Sequence, residues 1–240
     1  MGNIYLVRHG QASWDRDDYD QLSDLGAQQA AKLGDYWRTF EEPCAAVSGT
    51  MLRHQQTADG FFSGFEQRVP IRFNAGFNEF NHEQVLYRYQ PEWRDLSVMR
   101  QYIAQQDEPD RVFMTHFTNA LARWISGQYD DYDESFVRFR SRCYRALTQM
   151  IEETRLSANT EEQPKNTVVF TSGGVIAMIC GELMGLSHEN SLKLNRRIVN
   201  SSVTKIVYSA AASHQTQITL DSFNNYSHLD QLGPRWVTRK

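Results

Sequence analysis

The sequence predicts an α/β fold, a three-layer α/β/α sandwich with a mainly parallel central sheet. Short apolar runs of strand type alternate along the chain with segments of helical period. Polar residues capable of chemistry, namely His9, Ser48 and Ser172, directly follow three of those runs. Ligands of parallel sheets bind beyond the carboxyl ends of the strands, so these positions fit the same architecture. A mostly helical insertion over about 74–150 completes the prediction.

The first part of the chain supplies two strands and two helices. The run Ile4-Tyr5-Leu6-Val7 is apolar and short, which is typical of a buried strand. Residues 11–21 are polar and acidic and predict a long loop. Ser23 then stands before a helical pattern as its N-cap. A second strand is expected within 44–49 and a second helix over 51–63.

The middle of the chain is rich in aromatic residues and predicts helices. Phe113, Phe117 and Leu121 recur at a spacing of four, which is the period of a helix and not of a strand. Another long helix is expected over 133–155. The polar residues 156–166 that follow it predict a surface loop.

The last third returns to the alternating pattern. A strand over 167–171 is followed by a Gly-Gly pair and an apolar helix that is expected to run to Leu186. Paired strands are expected over 202–210 and 216–223. A chain of 240 residues is long enough to bury a large core, so we expect a single domain, 1–240, that carries the helical insertion.

Composition and charge exclude several classes of protein. Lys and Arg total 25 and Asp and Glu total 29, a formal net charge of −4, which gives no basic footprint for nucleic acid. No apolar stretch reaches membrane-spanning length, and a strand stands where a signal segment would. Cys44, Cys143 and Cys180 lie far apart, as free thiols of a reducing compartment do. We therefore expect a cytoplasmic protein without a nucleic-acid or membrane partner, of unspecified oligomeric state.

Three motifs occur in order at the predicted strand ends. Arg8-His9-Gly10 closes the first strand, and "SGTMLRHQQTA" places Arg53 on the first turn of the helix after the second. Glu79, in "GFNEF", is the acid expected to transfer protons. Together they resemble the histidine phosphatase superfamily, also called the phosphoglycerate-mutase-like family. "LSDLGAQQA" near the first helix and "NSSVTKI" and "NYSHL" near the end extend the similarity.

These residue types suit phosphoryl transfer on physical grounds as well. A phosphate monoester is a dianion whose charge must be neutralised while the phosphoryl group moves in line. Arg8 and Arg53 can each grip phosphate oxygens with a planar guanidinium group. His9 is neutral near pH 7 and can act as the nucleophile, with its other ring nitrogen donating to a carbonyl. Glu79 is expected to protonate the leaving oxygen and then to activate water, with a pKa raised by burial.

The chain departs from the family pattern at the second histidine. The family has S-H-G-G where this chain has T-S-G-G, so Ser172 replaces a histidine that contacts the phosphoryl group. A hydroxyl donates a hydrogen bond but carries no charge, and the loss would cost roughly 2–4 kcal/mol, or about 30- to 1,000-fold in rate. The resemblance implies that Ser172 and Gly173 bind phosphate together with the arginines. His82, three residues after Glu79, is a candidate for the missing donor.

Other residues near these motifs receive no role in the site. Asp15 stands where many family members have a phosphate-binding Asn, and its charge would repel phosphate. His54 follows Arg53 directly and is expected to face away from it, as a structural or solvent-exposed residue. His116 is expected in the core or on the surface of a helix. The remaining histidines are expected in loops or in the tail: His188, His214 and His228.

The resemblance implies a metal-independent phosphomonoester hydrolase, a phosphatase of the histidine acid type. It would work through a phosphohistidine on His9 without a cofactor, on a small phosphorylated substrate, and would also bind inorganic phosphate. The sequence shows no ligand cluster with metal spacing.

Two alternatives remain at this stage. A phosphate-binding pseudophosphatase or regulatory module would keep Arg8, His9 and Arg53 for recognition, and Ser172 is the kind of loss that such a protein would show. A phosphoglycerate mutase is disfavoured, because a mutase depends on a complete two-histidine pocket.

Overall fold

A central sheet organises the protein. The structure, a computed structural model, describes residues 1–13, 20–40, 42–43, 45–156, 166–209 and 217–239. Within these ranges six strands form one sheet in the order β3-β2-β4-β1-β5-β6. Their bounds are Gly2–Arg8 for β1, Ala45–Ser48 for β2, Ile71–Phe73 for β3, Asn166–Thr171 for β4, Val203–Ser209 for β5 and Gln217–Asn225 for β6. Strands β3, β2, β4 and β1 are parallel, whereas β5 and β6 pair antiparallel. The predicted, mainly parallel sheet is confirmed.

Helices make up most of the remaining described residues. The α-helices of the described residues are α1 (Asp24–Trp37), α2 (Leu52–Phe65), α3 (His82–Tyr89), α4 (Leu96–Ala104), α5 (Pro109–Ile125), α6 (Phe136–Leu156), α7 (Gly173–Leu183), α8 (His188–Asn195) and α9 (Ser227–Asp230). As the sequence predicts, the Ser23 side chain caps α1 by accepting a hydrogen bond from the Gly26 N–H at 3.1 Å.

Alternate residues of the strands supply the two faces of the sandwich. Val7, Val168 and Phe170 pack in one buried cluster with residues of α1 and α2, such as Leu33 and Phe61. Successive side chains of a strand point to opposite faces, so the buried residues between these positions face the other layer. On that side the almost wholly buried helix α7 contacts β1 and β6.

The chain divides into two compact units. One comprises Met1–Glu79 with Cys143–Lys240 and contains the sheet, and the other comprises Phe80–Arg142. The second unit is helical and has an aromatic core, in which the ring of Trp124 lies within 5.2 Å of those of Phe80 and Phe136, centroid to centroid. The expected single domain with an insertion over about 74–150 remains a prediction.

Several short elements differ from the sequence prediction. The three-residue strand β3 was not expected, and α7 ends at Leu183 rather than at Leu186. His188 begins helix α8 instead of lying in a loop, and it follows the N-cap Ser187, whose hydroxyl accepts from the Asn190 N–H. Asp15, Cys44 and His214 lie outside the described residues. In the described ranges, no helix has the length and apolar character needed to cross a membrane.

Candidate active site

The carboxyl ends of three neighbouring parallel strands converge on the candidate site. Strand β4 lies between β1 and β2, with Arg8 opposite Thr171 and Ser48 opposite Phe170. This register brings together the residues that follow each strand. His9 and Ser172 come directly after β1 and β4, and helix α2 begins shortly after β2.

His9 is buried and held from both sides of its backbone. Its N–H donates to the Thr171 carbonyl at 2.8 Å, and its carbonyl accepts from the Ser201 N–H and the Asn200 Nδ2 at 3.2 Å each. The ring Nδ1 lies 2.8 Å from the Gly10 carbonyl, as expected for a donor to a carbonyl. This contact assigns the proton to Nδ1 and leaves Nε2 with its lone pair.

Burial is the main cause that lowers the pKa of His9 well below the ordinary value of a histidine. The positive charges of Arg53 and Arg8 lower it further, followed by His54, while the bond to the Gly10 carbonyl raises it. The ring is therefore a neutral imidazole near pH 7, the form that a nucleophile requires.

The two arginines are buried and already held in place. Arg8 donates through Nη1 to the Ile198 carbonyl. Arg53 Nη1 donates to Asp20 Oδ1 at 2.7 Å, and 3% of its side chain is exposed. The helix that carries Arg53 is tied to the turn after His9, because Thr57 Oγ1 donates to the Arg53 carbonyl at 2.6 Å and accepts from the Gly10 N–H at 3.1 Å. The guanidinium groups can thus serve as a preorganised anion cradle.

Gly10 and Gly173 allow close approach at two turns of the site. A Cβ at Gly10 would lie 2.3 Å from the Gly26 carbonyl oxygen, where no side chain fits. A Cβ at Gly173 would lie 2.4 Å from Asn195 Oδ1 and 3.4 Å from Arg8 Nε. Gly173 is therefore adjacent to a predicted phosphate-binding arginine; its own role stays a prediction.

Glu79 lies at the start of α7. Its Oε2 accepts from the Gly174 N–H at 2.9 Å, and a Cβ at Gly174 would lie 2.0 Å from Oε1. The segment before Glu79 is fixed by Thr171 Oγ1, which donates to the Phe77 carbonyl at 2.6 Å. The side chain is only partly buried. Glu79 is therefore less buried than the sequence analysis expected, and the Gly174 N–H holds its carboxylate in place.

Ser172, at the position of the missing histidine, contacts another histidine. It is the N-cap of α7 and is fully buried, yet its side chain makes no capping hydrogen bond. Its Oγ lies 2.6 Å from Nε2 of His54. The ring centroids of His54 and His9 are 5.8 Å apart.

The sequence predicts His54 as a structural or solvent-exposed residue that faces away from Arg53. His54 is fully buried, so solvent exposure is wrong, and its ring lies beside His9 and Ser172. Burial, and secondly Arg53, lowers its pKa well below the usual value, which keeps the imidazole neutral. Adjacent residues of a helix point in directions about 100° apart, so the position of His54 next to Arg53 in sequence does not by itself place both side chains at one site. The local sequence contains no signal that identifies His54.

The other predicted residues lie elsewhere or act as supports. His82 is the first residue of α3, in the second unit, and its role as a compensating donor stays a prediction. His116 is half-buried in α5 of that unit, with its ring centroid 4.7 Å from that of Trp93. His228 is buried in α9, and its Nε2 lies 2.9 Å from Ser201 Oγ, behind the loop that holds His9. Across the described residues, no three His, Cys, Asp or Glu side chains are grouped to hold a metal ion.

Comparison with known proteins identifies the family that the sequence motifs resemble. The model of the histidine phosphatase superfamily (branch 1) matches residues 4–220. A 5''-phosphoribostamycin phosphatase from Niallia circulans is 24% identical over 242 residues, covering 96% of this chain and 99% of that protein.

Solved structures share the fold at low identity. A phosphoglycerate mutase from Bacillus anthracis superimposes with a TM-score of 0.64 at 18% identity, covering 95% of this chain and 94% of the other. A mycobacterial glucosyl-3-phosphoglycerate phosphatase gives a TM-score of 0.62 at 18% identity, covering 93% and 99%.

Proposed function

The chain belongs to the histidine phosphatase superfamily, and on that premise we propose that it hydrolyses phosphomonoesters through a phosphohistidine on His9. The observation that carries the proposal is the Nδ1 contact of His9 with the Gly10 carbonyl, which leaves Nε2 unprotonated beside the charges of Arg8 and Arg53. Binding alone would need the arginines but not a neutral, oriented imidazole. The relatives named as phosphatases support this direction.

The reaction proceeds in two displacements at phosphorus. In the first, His9 Nε2 attacks the phosphorus atom, the bond to the ester oxygen breaks, and Glu79 gives that oxygen its proton. In the second, Glu79 takes a proton from water, the water oxygen forms a bond to phosphorus, and the bond from phosphorus to Nε2 breaks. Arg8 and Arg53 neutralise the phosphoryl oxygens in both steps, with Ser172 and Gly173 completing the cradle. The residues require neither a metal ion nor a cofactor for these steps.

We propose that the substrate is a small phosphorylated molecule and that inorganic phosphate binds as the product. The relatives named for phosphoribostamycin and for glucosyl-3-phosphoglycerate are consistent with this class. They do not select one compound within it.

Steady-state hydrolysis of an aryl phosphate tests the proposal, with a chelator present and between about pH 5 and pH 8. We expect metal-independent turnover, and at least about a 10³-fold loss of kcat in His9→Ala because the nucleophile is removed. His188→Ala, a change in helix α8, serves as the matched control and retains the rate. Rapid quenching should trap an acid-labile, alkali-stable phosphoenzyme that His9→Ala lacks.

Two results would contradict the proposed chemistry. Equal turnover in the wild type and His9→Ala would place the reaction elsewhere. Phosphate binding without turnover or a phosphoenzyme would instead favour the phosphate-binding module.

A further inference from the structure

Helix α2 brings a second imidazole to the site from a position to which the family resemblance gives no role. We propose that His54 and Ser172 together replace the missing second histidine: the Ser172 hydroxyl contacts the phosphoryl group, and His54 positions that hydroxyl. This inference rests on the proposed phosphatase function. Ser172 would be the catalytic residue of the pair and His54 its positioning residue.

The first support is the geometry of the pair. His54 Nε2 and Ser172 Oγ are 2.6 Å apart, a short hydrogen bond between two fully buried side chains. The imidazole of His54 lies 5.8 Å from that of His9, centroid to centroid, with 35° between the ring planes. The pair is therefore beside the nucleophile and not in a remote part of the core.

The second support is the orientation of the Ser172 hydroxyl. A serine at an N-cap ordinarily accepts a hydrogen bond from an N–H of the first helical turn, which stabilises the helix by about 1 kcal/mol. Ser172 makes no such bond to α7, and its hydroxyl contacts His54 instead. Within that turn the Gly174 N–H donates to Glu79. The Ser172 hydroxyl therefore does not cap α7, and its contact with the imidazole of His54 sets its orientation.

The third support is the hydrogen-bonding capacity of His54. A neutral imidazole has one donor and one acceptor nitrogen, and Nδ1 of His54 is buried without a hydrogen-bond partner in the described residues. An unpaired acceptor is tolerated more often in protein interiors than an unpaired N–H, which favours the proton on Nε2. Nε2–H then donates to Ser172 Oγ and leaves the serine proton available for a phosphoryl oxygen.

The fourth support is the space that Gly49 leaves for the imidazole of His54. A Cβ on Gly49 would lie 2.2 Å from Nδ1 of His54, so the imidazole occupies space that any other residue would take. A buried imidazole with one unpaired nitrogen costs free energy that an apolar residue would not. Gly49, His54 and Ser172 are therefore matched to one another at the site, which a packing role alone does not explain.

A double-mutant cycle on kcat for an aryl phosphate tests the pair. We expect Ser172→Ala to lower kcat by about 10²-fold and His54→Ala by about 10- to 100-fold, each with a smaller change in KM. Because His54 acts through Ser172, the double variant His54→Ala/Ser172→Ala should be no slower than Ser172→Ala alone. Additive losses, or wild-type kcat in His54→Ala, would overturn the inference.

Two further variants separate positioning from mere structural support. His54→Gln keeps a nitrogen donor and should retain kcat within about 10-fold. His54→Ala/Ser172→His returns an imidazole to position 172 and should recover at least about tenfold over His54→Ala. His188→Ala is the control, and melting temperatures report on folding. If the losses of kcat across the variants only parallel their losses of melting temperature, and neither His54→Gln nor His54→Ala/Ser172→His retains or regains activity, His54 has only a structural role.

The same variants distinguish this inference from the proposed function. If the wild type forms a phosphoenzyme and His54→Ala is fully active, only the inference fails. If the wild type shows no turnover, the proposed function fails and the cycle is repeated with the dissociation constant of inorganic phosphate. Coupled losses of phosphate affinity in His54→Ala and Ser172→Ala would then still support the pair, and independent losses would reject it.

Discussion

At the scale of single residues, one carboxylate already pairs with a guanidinium group that the proposed function assigns to phosphate. Asp20 Oδ1 accepts from Arg53 Nη1 at 2.7 Å, and its Oδ2 accepts from the Leu52 N–H at 2.8 Å. Asp20 is 35% exposed, whereas Arg53 is buried. If phosphate binds Arg53 as proposed, the dianion must share the guanidinium with this carboxylate, whose like charge repels it. The sequence analysis raised such a repulsion for Asp15, which lies outside the described residues, and the carboxylate that the structure places at Arg53 is that of Asp20.

We expect Asp20→Asn to bind inorganic phosphate about 3- to 10-fold more tightly at low ionic strength, because the competing charge is gone. Calorimetric titration measures the affinity, and the gain should shrink as salt is added. Asp59→Asn, on the helix α2 that carries Arg53, is the matched control, since Asp59 is exposed and pairs with Arg68. Weaker binding by Asp20→Asn would show that Asp20 supports Arg53 rather than competing for it.

The residues of the site were predictable to different degrees. Arg8 and His9 end a strand whose apolar pattern is clear, so their place at the sheet edge follows from the sequence. His54 was missed because the direction of a first-turn side chain depends on where the axis of α2 points. That axis is set by packing against α1 and is not encoded in the local spacing.

At the scale of elements, helices α1 and α2 approach each other closely at two glycines. A Cβ at Gly34 of α1 would lie 1.9 Å from the Phe61 carbonyl oxygen. A Cβ at Gly64 of α2 would lie 2.1 Å from the Ala31 carbonyl oxygen. Carbonyl oxygens of a helix cannot turn aside as side chains do. The absence of side chains at these positions therefore sets the distance between the helices, and with it the position of Arg53.

Gly34→Ala should destabilise the protein by about 1–3 kcal/mol, because the helices must separate. The greater helix propensity of alanine, about 1 kcal/mol, offsets only part of this cost. Urea unfolding gives the free energy, and Lys32→Ala on the exposed face of α1 should stay within about 0.5 kcal/mol of the wild type. A Gly34→Ala protein as stable as the wild type would mean that the helices can move apart freely.

Long periodic elements were predictable and short ones were not. The helix at 109–125 and the buried strand at 166–171 have a clear period or a continuous apolar run. Strand β3 has three residues and exists because Ile71–Phe73 pair with β2. Helix α8 has eight residues and packs on α7. Tertiary partners decide such elements, and a local pattern contains too few residues to reveal them.

At the scale of the whole molecule, the end of the described chain supports the beginning. Thr238 accepts from Gln29 Nε2 and donates to Asn200 Oδ1, both at 2.9 Å. Asn200 in turn donates to the His9 carbonyl at 3.2 Å. Residues far apart in sequence thus hold the backbone of His9, the proposed nucleophile, in an arrangement that no local motif predicts. Behind this network Ser201 contacts His228, so the stability of the loop is linked to a buried imidazole.

Burial lowers the pKa of His228 to about 4, against an ordinary value of 6.5. A histidine with a lowered folded pKa binds fewer protons in the folded than in the unfolded state below about pH 6.5. The stabilisation of the folded state by neutral His228 is therefore fully present above about pH 6.5 and is lost as the pH falls toward 4. The whole effect amounts to about 3 kcal/mol, of which about 2 kcal/mol is lost by pH 5. His9 and His54 shift in the same direction and add to the loss.

Urea unfolding at about pH 7 and about pH 5 tests this linkage in the wild type and in His228→Gln. Glutamine can still bond to Ser201 but does not titrate, so the variant should lose about 2 kcal/mol less than the wild type between the two pH values. His188→Gln, a change at the partly exposed start of α8, should keep the wild-type difference. Equal losses in the wild type and His228→Gln would mean that the tail opens and admits a proton to His228 before the protein unfolds.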